Sequence, residues 1–340
     1  MRDDRTGPPV DAQPAPSATA ARPGRRSRPH RLDAPVPALP PQGDPRHQAP
    51  GTSAEGEPPV PPTGPRRSRR TARRAGRNVP QSIAVGVALI AVLLASLYVE
   101  RAAFVGLAAV AVLVAVWEIA GALRTRGVRV PVLPLGTGSV AMLVTAYTAG
   151  AGPLLGVLLV TCAAVLVWRA VDGPEGFVAD ATAGVFTAAY VPLLASFALL
   201  LLREHDGPDR IVAFILAVVG SDVGGFVTGV LWGRHPMVPR ISPRKSWEGF
   251  AGSLVLGTGV GAAVVPWLLD GPAWGGALLG LAAVVTATAG DLAESLIKRD
   301  LGVKDMGSVL PGHGGVMDRL DSLLPTAPVA YLVLSHVLSR

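Results

Sequence analysis

Cysteine is almost absent from this chain: Cys162 alone occurs, inside an apolar run. That excludes a disulfide framework and a cluster of thiolate metal ligands. Charge is scarce too, at 16% of residues, and lysine is scarcer still, with Lys245, Lys298 and Lys304 the only three among 31 basic residues. Soluble domains carry about a quarter charged residues. With 49% hydrophobic content and a mean hydropathy of +0.42, the composition is that of a membrane protein. The N-terminus lacks a short apolar stretch followed by a small-residue cleavage site. No removable leader is therefore expected, and insertion relies on internal spans.

The formal charge of +7 would suit a nucleic-acid binder until it is divided along the chain. Residues 1–79 hold 15 Arg against 7 acidic residues, whereas the remainder holds 16 basic and 17 acidic. The basicity belongs to the tail, and no nucleic-acid partner is expected. Residues 1–79 are rich in Pro, Gly, Ala and Arg with few large apolar side chains, so they are expected to be a disordered cytoplasmic tail. Its last arginines, from Arg66 to Arg77, precede the first apolar run and read as a topological signal facing anionic headgroups.

Residues 80–340 read as one transmembrane domain. About nine apolar stretches approach the roughly 20 residues that cross a bilayer as a helix. They fall near 81–99, 102–123, 131–149, 152–171, 177–202, 209–232, 247–269, 272–294 and 316–338. The expected fold is an all-α polytopic bundle. The third stretch is the weakest, interrupted by Pro131, Pro134 and glycines. Placing the Arg-rich N-terminus inside puts Arg124, Arg126, Arg129, Arg169, Arg234, Arg240, Arg244 and all three lysines in cytoplasmic loops, and the C-terminus outside.

Acids within apolar spans are costly unless paired or facing a wet cavity, so they mark function. Asp222 lies in Gly220-Ser221-Asp222-Val223-Gly224-Gly225; Asp291 and Glu294 end the eighth span, and Asp318 and Asp321 open the ninth. Asp291, Glu294, Ser295 and Lys298 share one helix face by spacing, and Asp318 and Asp321 repeat the i, i+3 relation. Carboxylates gathered at one membrane face repel unless a cation holds them, and oxygen ligands suit Mg²⁺. The plainer alternative pairs each acid with Arg299 or Arg319. Lysine is a compact phosphate-binding charge. The glycines around His313 suit a backbone anion nest, although taken alone a simple helix connection fits them better; His313 would orient a phosphate or cap the next helix. Ser242-Pro243-Arg244-Lys245-Ser246-Trp247-Glu248-Gly249 adds a basic, hydroxylated patch beside the bilayer.

Ser-Leu-Ile-Lys-Arg from Ser295, then Lys304-Asp305, then His313-Gly314-Gly315 and Asp318-Arg319-Leu320-Asp321, closely resembles the signature of phosphatidate cytidylyltransferases. Ser242 to Gly249 resembles that family's second characteristic stretch. The chain departs from it at Val223, Gly225 and Phe226, where the family has a hydroxylated residue and Tyr, and at Arg244 and Met306. The resemblance implies attack of phosphatidic acid on the α-phosphorus of CTP, with Mg²⁺ and room for a second cation. On that reading Asp222, Asp291, Asp318 and Asp321 surround metal, and Asp318, Asp321, Lys298 and Arg319 act in catalysis. Ser242, Arg244, Lys245, Ser246, Glu248, Ser295, Arg299, Lys304, Asp305, His313, Gly314 and Gly315 contact substrates. Membrane lipids are expected neighbours, a homodimer is compatible with the sequence, and the site is expected to face the cytoplasm from the inner membrane. A CTP-dependent polyprenol kinase, which would release CDP, and a secondary transporter are the rival readings.

Overall fold

The computed structural model describes residues 79–309 and 314–338. The Arg-rich tail and His313 lie outside the described residues. The helices are α1 Val79–Val99, α2 Arg101–Arg124, α3 Val132–Thr148, α4 Ala151–Val171, α5 Phe177–Ala188, α6 Leu194–Arg203, α7 Gly207–Trp232, α8 Trp247–Leu269, α9 Ala273–Leu301, α10 Met317–Leu320 and α11 Leu323–Val337. A π turn, Ala189–Leu193, joins α5 to α6 around Pro192, whose missing N–H breaks the regular ladder. Among the described residues, seven stretches are long and apolar enough to cross a membrane: α2, α4, Phe177–Arg203, α7, α8, α9 and Met317–Val337. Two shorter apolar helices, Gly86–Val99 and α3, complete the expected series.

α3 forms despite its prolines because Pro131 precedes the helix and Pro134 falls in the first turn, where backbone N–H groups have no helical acceptor. α9 runs to Leu301, past the expected end near residue 294. Gly302, at φ +71°, then turns the chain into the left-handed region that favours glycine. At 29 residues α9 is about 43 Å long, well beyond a hydrocarbon core of about 30 Å. Its charged end, with Lys298 and Arg299, therefore continues past the core as helix rather than as loop.

The chain also forms a small antiparallel hairpin, β1 Pro236–Val238 with β2 Ser242–Ser246, pairing Pro236 with Ser246 and Val238 with Ser242. Ser246 then caps α8, its hydroxyl accepting from Gly249 N at 3.1 Å.

Small residues bring α7, α8 and α9 together. A Cβ at Gly224 would strike Gly252 O, and one at Gly261 would strike Gly276 O, so these backbones lie nearly in contact. Ser253 Oγ donates to Ser221 O across the same seam, at 2.7 Å. Leu135, Met142, Leu201, Ile211, Met317 and Leu334 are fully buried elsewhere in the bundle, while Leu159, Val160, Phe226 and Trp267 are exposed, as on a lipid-facing surface.

The two ends of the bundle differ. At one, Arg101 donates to Glu204 O and His205 O, joining the α1–α2 and α6–α7 turns. At the other, Arg126 donates to Asp300 O and Leu301 O, joining the α2–α3 turn to the end of α9. All three lysines and the hairpin lie at this second end.

Candidate active site

Strand β2 and helices α7, α9 and α10 converge at the second end. Lys245 Nζ on β2 meets Asp291 Oδ2 on α9 at 2.7 Å, and Ser322 Oγ donates to the other oxygen of Asp291 at 2.9 Å. Asp222 on α7 lies within electrostatic reach of both Asp291 and Lys245. Asp321, in the turn between α10 and α11, faces Asp291 and Glu294 and accepts from Ser322 N at 2.8 Å. Gly290 makes this approach feasible, since a Cβ there would strike Asp321 O.

One turn along α9, Lys298 bridges Glu294 and Asp318, the latter at 3.0 Å. Asp318 accepts in addition from Met306 N at 3.2 Å and from Gly315 N at 2.8 Å. Both its oxygens are engaged by protein donors, so it ties the 302–316 loop to α9 and α10. Asp291, Glu294 and Asp318 pair with lysines here, while Arg299 is turned elsewhere, its Nε pointing to Ile241 O at 3.4 Å.

Two cavities border this cluster. One of about 300 Å³ is lined by Asp222, Phe226, Lys245, Ser246, Phe250 and Asp291, mixing charge with aromatic surface. The other, about 640 Å³, is lined by Ser242, Arg244, Ser295, Lys298, Arg299 and Lys304. Arg244 borders both.

Three expected contacts lie elsewhere. Glu248 accepts from the backbone N–H groups of Arg234 and His235 and sits 2.5 Å from His235 Nδ1, so it braces the hairpin. Asp305 and Arg319 are exposed and line neither cavity. Gly314, at φ +83°, and Gly315 lie beside Asp318.

Asp222, Asp291, Asp321 and Glu294 place four carboxyl groups beside Lys245 and Lys298. Glu294 Oε1 is buried without a hydrogen-bond partner. Among the described residues no three such groups converge on one point as a finished chelate. The excess of oxygen donors and the unmatched Glu294 oxygen nevertheless fit a divalent, oxygen-ligated cation.

Sequence reasoning missed Glu118 and Arg126 as contributors. Glu118 on α2, 2% exposed, accepts from Val316 N and Met317 N at 3.1 and 2.8 Å. It is the single acid in its apolar run, the same signal that identified Asp222. Also unread was the pairing of Arg169 with Asp180 at 2.7 Å, buried between α4 and α5.

The profile of the cytidylyltransferase family matches residues 80–337. A protein of Mycobacterium leprae (strain TN) named phosphatidate cytidylyltransferase is 46% identical over 289 residues, 79% of this chain and 92% of the relative. The protein of that name from Mycobacterium tuberculosis (strain ATCC 25618 / H37Rv) is 42% identical over 276 residues, 76% of this chain and 83% of its own. One from Brucella suis biovar 1 (strain 1330) is 37% identical over 184 residues, covering 54% and 66%.

Proposed function

The chain belongs to the cytidylyltransferase family, and we propose that it transfers CMP from CTP to phosphatidic acid, giving CDP-diacylglycerol and pyrophosphate for phospholipid biosynthesis. The observation that carries this reading is the gathering of the chain's three lysines and its carboxylate cluster at one end of the bundle, around adjoining cavities.

A phosphate monoester is already largely ionised at neutral pH, so the attacking oxygen needs no strong general base. That oxygen forms the new bond to the α-phosphorus of CTP as the bond from that phosphorus to the bridging oxygen breaks, and pyrophosphate departs. What the protein must supply is positive charge and alignment. Lys298, Arg299, Lys304 and Arg244 suit the triphosphate in the larger cavity, with Ser242 and Ser295 as hydroxyl partners. Lys245 and Ser246, beside Phe226 and Phe250, suit the lipid phosphate, with the aromatic rings meeting the first carbons of the lipid. Arg244, bordering both cavities, would lie where the two phosphates meet. Asp222, Asp291 and Asp321 would hold Mg²⁺, with a second cation beside them. Bound there, the metal would draw charge from the α-phosphate and the leaving pyrophosphate. Asp318 would keep Lys298 and the loop in register. Lys245 and Lys298 are held by acids now, so their exchange to substrate phosphates would free carboxylate oxygens as CTP arrives.

We place the protein in the cell membrane with this end toward the cytoplasm, because basic residues concentrate in its loops. The test is pyrophosphate release by detergent-purified protein with CTP, Mg²⁺ and phosphatidic acid, each omitted in turn. Release requiring all three, with a CDP-lipid product, supports the proposal; CDP release with an alcohol acceptor replaces it with a lipid kinase.

A further inference from the structure

The loop between α9 and α10, residues 302–316, carries Lys304, Gly314 and Gly315, yet it is held from α2, a helix that lines neither cavity. Buried Glu118 takes Val316 N on one carboxylate oxygen and Met317 N on the other. Its carboxylate also rests against two loop glycines, since a Cβ at Gly307 or Gly315 would strike it. Eight positions further along, Arg126 donates from Nε to Leu301 O at 3.2 Å and from Nη2 to Asp300 O at 2.5 Å, the last carbonyls of α9. An acid thus holds the amides where the loop ends, and a cation holds the carbonyls where it begins.

Gly302, Gly307, Gly314 and Gly315 give this loop exceptional backbone freedom. An untethered loop would have to lose that freedom on binding a ligand, which weakens binding; ordering it during folding removes the penalty. We infer that Glu118 and Arg126 are positioning residues for nucleotide binding, with α2 and the turn that follows it a bracket that fixes both ends of the 302–316 loop against the triphosphate. The inference rests on assigning that loop to CTP.

The test uses full-length protein in detergent, titrated with CTP alone and then assayed for turnover with phosphatidic acid. Glu118→Gln keeps the side-chain size but turns an amino group toward a backbone N–H. Glu118→Gln and Arg126→Ala are expected to raise the Kd and KM for CTP by roughly tenfold or more. The KM for phosphatidic acid is expected to stay within about twofold. Arg126→Lys should recover part of the loss. Gly307→Ala should reproduce Glu118→Gln, and combining them should add little, because both act on one contact. Arg101→Ala, which removes a comparable clamp at the other end of the bundle, should lower thermal stability and leave CTP affinity unchanged.

Folded Glu118→Gln and Arg126→Ala proteins that bind CTP like the parent would overturn the inference, as would KM values for both substrates rising together. Since the Kd is read without acceptor, a different acceptor lipid would overturn only the proposed reaction, whereas a parent protein that fails to bind CTP would overturn both.

Discussion

Asp318 and Asp321 stand three residues apart, yet the structure gives them different work, and substitution should separate them. Asp318→Asn loses the charge that holds Lys298 and weakens two backbone contacts to the loop. It is expected to cost about 3 kcal/mol of stability together with turnover. Asp321→Asn relieves repulsion from Asp291. It should raise the melting temperature in metal-free detergent while reducing pyrophosphate release by roughly 10²-fold or more. Thermal unfolding and turnover measured on the same preparations check both; a fall in stability for Asp321→Asn would deny the excess of negative charge. The five intramembrane acids singled out in the sequence were legible because charge in an apolar run demands an explanation. Glu118 emits the same signal. Its partners are backbone amides 198 and 199 residues away, and no local spacing announces such a contact. The lysine partners of Asp291 and Asp318 were hidden for a similar reason, since Lys245 reaches Asp291 only after α7, α8 and α9 have packed.

The elements themselves were legible where apolar runs are long, and less so where their ends carry charge. The end of α9 reads as a loop by hydropathy, but Asp291, Glu294 and Lys298 lie on one helical face and the pairing of Glu294 with Lys298 carries the helix onward to Gly302. The hairpin at 236–246 was not read at all, because strands of three and five residues held partly by the Trp247 N to His235 O bond leave almost no periodicity. Nor does a sequence reveal which glycines touch backbone. Gly261 does, against Gly276 and Gly280, whereas Gly259, two residues away, has open space. Gly261→Val should therefore cost on the order of 3 kcal/mol, and Gly259→Val almost nothing. Gel filtration of the detergent-solubilised variants and their melting temperatures would report the contrast; equal behaviour would mean that the seam is looser than described.

For the molecule as a whole, the division of basic residues between the two ends makes a prediction about sidedness. With Cys162 replaced by Ala, a single cysteine at Arg240 should react with a membrane-impermeant thiol reagent only in inside-out vesicles. One at His205, at the other end, should react only in right-side-out vesicles. The reverse pattern would contradict the assigned orientation. The length of α9 carries a further consequence for how such a protein would be supplied. With its charged end past the hydrocarbon, α9 would bring Lys298 and Arg299 to the level of the phosphate groups of the surrounding leaflet, so an anionic lipid need not be lifted from its own layer to meet them. The search becomes two-dimensional, by sliding in the plane of the bilayer. Turnover should then follow the mole fraction of phosphatidic acid at the surface: adding inert detergent or neutral lipid at a fixed bulk amount of substrate should slow it by simple dilution of that surface.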